Sequence, residues 1–260
     1  MTPRWAIIDI GNSVAKCGRY DPGAAAEPGE FERLGDAPLD DPRRIAEVLG
    51  LPCDGPLHWF ISSVNRPAEE RLRTWVATQR PADAYRRLTC DDCPLPLAVD
   101  FPPQVGFDRL ATAVAADGRR PADQAAIVVD AGTALKLHAV SAAGEFLGGV
   151  ILPGFRLAAQ SLQQGTDLLP LVDASLNIAS PAILGRNTQD AIRAGLFWGA
   201  VGAVREIVGR MRAELGEATP VFVTGGDARG LGVLMDHDVR FVPHLCLEGI
   251  VRIARRLSEA

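Results

Sequence analysis

Lysine is nearly missing from this 260-residue chain: of its 27 basic residues, all but Lys16 and Lys136 are arginine. Cysteine is sparse, and Cys17, Cys53, Cys90, Cys93 and Cys246 make an odd set in a chain of this size, which argues against a secreted disulfide framework. The start, Met-Thr-Pro-Arg-Trp, runs straight into a short apolar strand and lacks the shape of a signal peptide, so none is expected. No apolar run reaches the length of a membrane span, and no membrane partner is expected. A net charge of −5, a pI near 5.4 and the absence of an evident basic face disfavour nucleic acid as a partner. The cytoplasm is therefore the expected compartment. What remains is ordinary globular material, 47% hydrophobic and 23% charged, enough for two small domains or one large one.

Two short segments look like copies of one another. Asp9-Ile10-Gly11-Asn12-Ser13 follows the apolar run at 5–8, and Asp130-Ala131-Gly132-Thr133-Ala134 follows the run at 125–129. Each reads as a strand that ends in an acid, turns on a glycine, presents a small polar residue and returns as a second strand. The glycine lets backbone N–H groups approach an anion, and the hydroxyl or amide adds a donor. The carboxylate can hold a metal ion beside the same phosphates. Two such hairpins facing each other would clamp the phosphate tail of a nucleotide, which points to phosphoryl transfer. The two lysines fall on the returning strands, Lys16 seven positions after Asp9 and Lys136 six after Asp130. An arginine-biased composition could leave them there by chance; the functional alternative is a compact ammonium aimed at phosphate oxygens.

Along the chain, a strand pair over 5–20 gives way to a proline- and glycine-punctuated stretch over 21–56, with one helix at 42–49. A buried strand is expected at 57–64 and a helix at 67–79, with Ala68, Leu72, Trp75 and Val76 on one face. A proline-rich loop then delivers Gly106-Phe107-Asp108-Arg109 to a helix ending at Asp117-Gly118. The polar segment 119–124 is the best boundary, giving domains 1–118 and 119–260. The second half repeats the plan with a strand pair over 126–140, a strand from 146 to a turn at Pro153-Gly154, and a strand at 221–223 running into Thr224-Gly225-Gly226-Asp227. Helices are expected at 155–164, 188–215 and 248–257. Duplicated strand hairpins followed by alternating helices and strands imply an α/β fold with a mixed sheet in each half.

These residues resemble the type III pantothenate kinases of the acetate kinase, sugar kinase, heat-shock chaperone and actin superfamily. The matching motifs occur in the family's order: Asp9-x-Gly11-Asn12-Ser13 with Lys16, Gly106-x-Asp108-Arg109, Asp130-x-Gly132-Thr133-Ala134, Gly148-Gly149-x-Ile151-x-Pro153-Gly154, Gly185-Arg186-Asn187-Thr188 and Thr224-Gly225-Gly226. The resemblance implies two ribonuclease-H-like domains of the actin/sugar-kinase type, each a mixed sheet flanked by helices, with a cleft between them. It also implies transfer of the ATP γ-phosphoryl group to pantothenate, the first step towards coenzyme A. On this resemblance Asp9, Ile10, Gly11, Asn12, Ser13, Val14, Ala15 and Lys16 hold the ATP phosphates, with Mg²⁺ carried by ATP beside Asp9. Thr133 contacts them from the opposite side, and Gly225 and Gly226 pass close to the adenosine. Asp108 is implied as the catalytic base, with Gly106, Phe107, Asp108 and Arg109 as the substrate motif; a guanidinium fork suits the pantothenate carboxylate. Asp130 resembles the residue that holds the family's monovalent cation, potassium or ammonium. Family members are homodimers in which the residue matching Thr188 reaches the neighbour's substrate.

The chain departs from the family pattern after Thr133-Ala134, where a threonine and then an acid are usual and Leu135, Lys136 and His138 stand here. Lys136 could replace the monovalent cation with a tethered ammonium, or strand alternation could point it outward to solvent. Upstream of Gly106 the family has a tyrosine, where this chain has Val99 with Phe101 nearby. Asp108-Arg109 also reads as an exposed ion pair at a helix start, and Asn187-Thr188 as a helix N-cap. Gly195, Gly199 and Gly202 suit helix packing, and the neighbouring Leu196, Phe197 and Trp198 offer more apolar surface than one helix side needs, as a dimer helix would. Cys90-Asp-Asp-Cys93 has no second ligand pair, and His58, His237 and His244 read as packing or surface residues. Besides the kinase, a nucleotide-binding regulatory or weakly active relative fits the same residues, as does a kinase for another small hydroxylated acid.

Overall fold

Six of the seven residues of Arg4–Ile10 (β1) are buried, as its continuous apolar run requires of a strand covered on both faces. In this computed structural model, which describes residues 3–24, 27–51, 55–173, 180–228, 230 and 239–259, β1 is the middle of a five-stranded sheet. Ala15–Tyr20 (β2) pairs antiparallel to β1, and Glu32–Ala37 (β3) antiparallel to β2. Leu57–Ser63 (β4) lies parallel to β1, and Ala84–Arg87 (β5) parallel to β4, giving the order β3-β2-β1-β4-β5. Helices Pro42–Val48 (α1) and Arg66–Gln79 (α2) start as their sequences dictate: Asp41 and Asn65 accept hydrogen bonds from Arg43 N and Ala68 N, with a proline in each first turn. The core beneath holds Ile8, Ile10, Trp59, Ile61 and Leu72.

The helix Phe107–Asp117 (α3) packs against the last helix, Leu245–Glu259 (α6), in the same unit. A Cβ on Gly249 would collide with the Ala111 carbonyl, so the two helices approach closely there. The chain divides at 118/119 as expected, but residues 244–260 belong with the first unit: the compact units are Met1–Gly118 with His244–Ala260, and Arg119–Pro243. The reason is packing, because the buried face of α6 (Leu247, Ile250, Val251, Ile253 and Ala254) finds its complement on α3 and the first sheet.

The second unit repeats the topology. Ala126–Ala131 (β6) is entirely buried and central. Ala134–Val140 (β7) and then Phe146–Pro153 (β8) add antiparallel, while Val221–Thr224 (β9) and Val239–Phe241 (β10) add parallel, for the order β10-β9-β6-β7-β8. The same strand order and directions in both units make the fold a duplicated α/β architecture of the ribonuclease-H-like kind. Phe155–Gln164 (α4) and Thr188–Leu215 (α5) are helices of this unit. Phe197, Val201, Val204 and Val208 of α5 lie in its core. The expectation that Leu196, Phe197 and Trp198 face outward is overturned: Phe197 is buried, Leu196 and Trp198 pack against the same core, and Trp198 Nε1 donates to the Pro181 carbonyl at 3.0 Å. The outward stripe is Gly195, Gly199 and Gly202, where an added Cβ would meet nothing within 4 Å. Among the described residues no helix is long and apolar enough to cross a membrane.

Candidate active site

Asp9, next to last in β1 and buried, has two cross-strand neighbours: Lys16 of β2 and Ser62 of β4. Lys16 Nζ lies 3.6 Å from Asp9 Oδ2, and the Ser62 hydroxyl donates to Asp9 Oδ1 at 3.1 Å. The turn at 11–14 is closed by Gly11 N–H donating to the Val14 carbonyl at 3.0 Å. Asn12 and Ser13 stand exposed at its tip, while Ile10 and Ala15 are fully buried and present no surface to a ligand.

The second unit builds the same device. Asp130, next to last in β6, is in register with Lys136 of β7 and Thr224 of β9. The loop at 132–134 is one residue shorter than that at 11–14, which accounts for the different acid-to-lysine spacing while the pairing stays equivalent. Lys136 Nζ lies 2.7 Å from Asp130 Oδ2, with side chains only 16% and 11% exposed. Of the two directions open to Lys136, the inward one is found, because direct cross-strand partners share a face of the sheet. Gly154 N–H donates to the Thr133 carbonyl at 3.1 Å, which brings the start of α4 onto the turn. Gly225 has φ of 104°, a conformation that favours glycine, and a Cβ there would collide with the Ala131 carbonyl. Asp227 N–H donates to that same carbonyl at 3.1 Å, so the Gly225-Gly226 turn lies directly beside Asp130. Thr133 and Gly226 are exposed.

Gly106 caps α3 without a side chain, and Asp108 occupies the first turn with Oδ1 accepting from Arg109 N–H at 2.9 Å. A methyl group on Gly106 would lie 2.6 Å from that carboxylate oxygen and 3.3 Å from Val64 Cγ1. Val64 N–H in turn donates to the Ile10 carbonyl at 3.0 Å. The 106–109 segment is thus held at the carboxyl ends of β1 and β4, where Asp9 also sits, the usual ligand edge of an α/β sheet. Burial lowers the pKa of the Arg109 guanidinium, and Asp108 beside it works the other way. Phe107 is 5% exposed and anchors the helix. Thr188 is exposed at the start of α5, and the cap is Asn187, whose Oδ1 accepts from Asp190 N–H at 2.9 Å.

Ser62 and Thr224 received no role from the sequence. A hydroxyl at the end of a buried parallel strand is their only local signal, and Ser62 reaches Asp9 from 53 positions away. Cys17, Cys90, Cys93 and Cys246 are free. Burial pushes the Cys90 and Cys93 thiols up and Cys17 up to about 12, so none of the three is a ready thiolate. Among the described residues no group of three or more His, Cys, Asp or Glu is placed to hold a metal. Cys53 and His237 lie outside the described residues.

The profile of the type III pantothenate kinase family matches residues 6–210. The chain is 42% identical over 260 aligned positions to the type III pantothenate kinase of Geobacter sulfurreducens, covering 97% of this chain and 99% of that one. It is 32% identical over 255 positions to that of Alkalilimnicola ehrlichii, covering 97% and 98%. Among solved structures, one from Campylobacter jejuni described as a conserved Baf family transcriptional activator superposes with a TM-score of 0.61 at 20% identity, covering 98% of this chain and 100% of that one, and speaks to the fold alone. With a profile match over most of the chain and two relatives aligned along nearly all of it, the chain belongs to the type III pantothenate kinase family.

Proposed function

We propose that this protein transfers the γ-phosphoryl group of ATP to the primary hydroxyl of pantothenate, giving 4′-phosphopantothenate for coenzyme A synthesis. One observation carries the reading beyond family membership: within the first unit, Asp108 sits beside Val64 at the strand ends that hold Asp9. Phosphoryl transfer asks little covalent chemistry of a protein; it needs alignment, charge neutralisation and a base near the attacking hydroxyl. Asp108 accepts that proton late, as the bond to phosphorus forms. Arg109 pairs with the pantothenate carboxylate. The first unit contributes Gly11, Asn12, Ser13 and Lys16 to the phosphates, with Asp9 holding Mg²⁺ or its waters. The second contributes Thr133, and Gly225 with Gly226 let its backbone approach the adenosine. ATP-bound Mg²⁺ supplies charge neutralisation at the transferring group.

The exposed glycine stripe of α5 suits close approach by a second copy, so the working form is a homodimer and Thr188 acts on the neighbour's substrate. The cytoplasm, where ATP is plentiful, is the compartment this chemistry implies. The test is ADP release by the purified chain with Mg²⁺, comparing pantothenate with pantothenyl alcohol, which keeps the hydroxyl and lacks the carboxylate. Release is expected with pantothenate and much more weakly with the alcohol. Release no faster than the ATP-only background with either compound would contradict the proposal.

A further inference from the structure

Both lysines of the chain stand directly opposite an aspartate one residue from the end of its strand, in an otherwise arginine-only set of basic residues. The two pairs differ in closeness. Lys16 is 3.6 Å from Asp9 with its side chain 33% exposed, whereas Lys136 is 2.7 Å from Asp130 and 16% exposed. We propose that Lys136 is the resident cation of the second phosphate turn, a positioning residue that makes a potassium or ammonium ion at Asp130 unnecessary and excludes it. The inference rests on the phosphoryl-transfer reading above.

The donor set does not fit a free monovalent cation. An ammonium carries donors and no lone pair, so it coordinates no metal ion and instead takes up the carboxylate oxygen that would. A second positive charge on Asp130 would lie within a few ångströms of Nζ, in a pocket where little water remains to screen the repulsion. Register makes the pairing permanent: Lys136 is the cross-strand partner of Asp130 and shares its face. The surroundings place this charge usefully. The Gly225-Gly226 turn rests on the Ala131 backbone next to Asp130, and Gly154 ties the start of α4 to Thr133. With three N–H donors, one ammonium can bridge Asp130 and a phosphate oxygen. A compact point charge suits this task where the planar guanidinium of arginine does not, which explains a lysine in an arginine-biased chain.

The test measures the affinity of the intact chain for a non-hydrolysable ATP analogue with Mg²⁺ by calorimetry, in potassium, ammonium or tetramethylammonium chloride. Wild type should bind equally in all three salts. Lys136→Met should bind about tenfold or more weakly in tetramethylammonium, the loss expected for a charge-assisted hydrogen bond, and should regain affinity in potassium or ammonium. The melting temperature of Lys136→Met in potassium guards against a folding defect and should lie close to that of wild type. A wild-type affinity that depends on potassium overturns the proposal. So does a Lys136→Met loss that no cation relieves, or a Lys136→Met affinity equal to wild type in tetramethylammonium. Should pantothenate go unphosphorylated in every salt while binding follows the expected pattern, the substrate assignment fails and the role of Lys136 stands.

Discussion

Replacing Asp108 by asparagine removes a negative charge and a proton acceptor while leaving the shape of the side chain unchanged. Asparagine Oδ1 can still accept from Arg109 N–H, the bond now 2.9 Å long, and the pocket beside Gly106 and Val64 receives an atom of the same size. Loss of the negative charge from the first turn of α3 should lower folding stability by no more than about 1 kcal/mol. Catalysis is another matter. A positioned base supplies roughly 10²–10⁴-fold, or about 3–5.5 kcal/mol of barrier. The assay is steady-state ADP release with saturating pantothenate, run beside thermal unfolding and calorimetric binding of an ATP analogue. The expected result is a hundredfold or greater fall in kcat (about 10²–10⁴) with melting temperature and nucleotide affinity preserved. Retention of more than about a tenth of wild-type kcat would refute the base role. A large drop in melting temperature would refute the claim that the bond to Arg109 survives.

Gly225→Ala must push against the Ala131 carbonyl from a φ of 104°, so it should destabilise the unit by about 1–3 kcal/mol and weaken nucleotide binding. Gly226→Ala meets nothing within 4 Å and should keep the melting temperature while lowering nucleotide affinity, as seen by calorimetry. Asp83, with a side chain 1% exposed, accepts from Leu57 N at 3.0 Å, Trp59 Nε1 at 2.8 Å and Arg80 Nε at 2.9 Å, and Asp83→Ala should cost about 3–5 kcal/mol in urea unfolding. Burial alone would raise the Asp83 carboxyl, but the bonds from Arg80, Trp59 and Leu57 outweigh it and hold it below the usual range. Its contribution is thus full above the unfolded value of about 4 and lost as pH falls through the lower folded value, so wild type should lose stability below about pH 4 more steeply than Asp83→Asn. Gly199→Leu has open space in the single chain, so it should keep the helix intact and shift sedimentation from dimer to monomer.

Both strand–turn–strand hairpins, with their aspartates and glycines, were legible because their signal is local: an apolar run, an acid, a glycine and a small polar residue within a few positions. The central strands β1 and β6 announced themselves by continuous burial. The edge strands did not. Glu32–Ala37 reads ERLGDA, with one buried residue in six, because an edge strand packs on one neighbour and carries no alternation to find. Lys136 was ambiguous for a related reason, since alternation within β7 fixes which residues share a face but not which face meets Asp130. That depends on register with β6. The outward reading of Leu196, Phe197 and Trp198 failed because three consecutive residues span most of a helical turn. The spacing of Phe197, Val201, Val204 and Val208 sets the buried side, and the glycines take the opposite one. Assigning α6 to the first unit required knowing what Gly249 packs against, which is Ala111 of α3.

The central claim is that this chain phosphorylates pantothenate, and product analysis tests it most directly. The purified protein, incubated with Mg²⁺, ATP and pantothenate and examined by mass spectrometry and phosphorus NMR, should yield one phosphomonoester on the primary hydroxyl in step with ADP. ATP consumption without that ester, or no consumption while nucleotide still binds, would contradict the account.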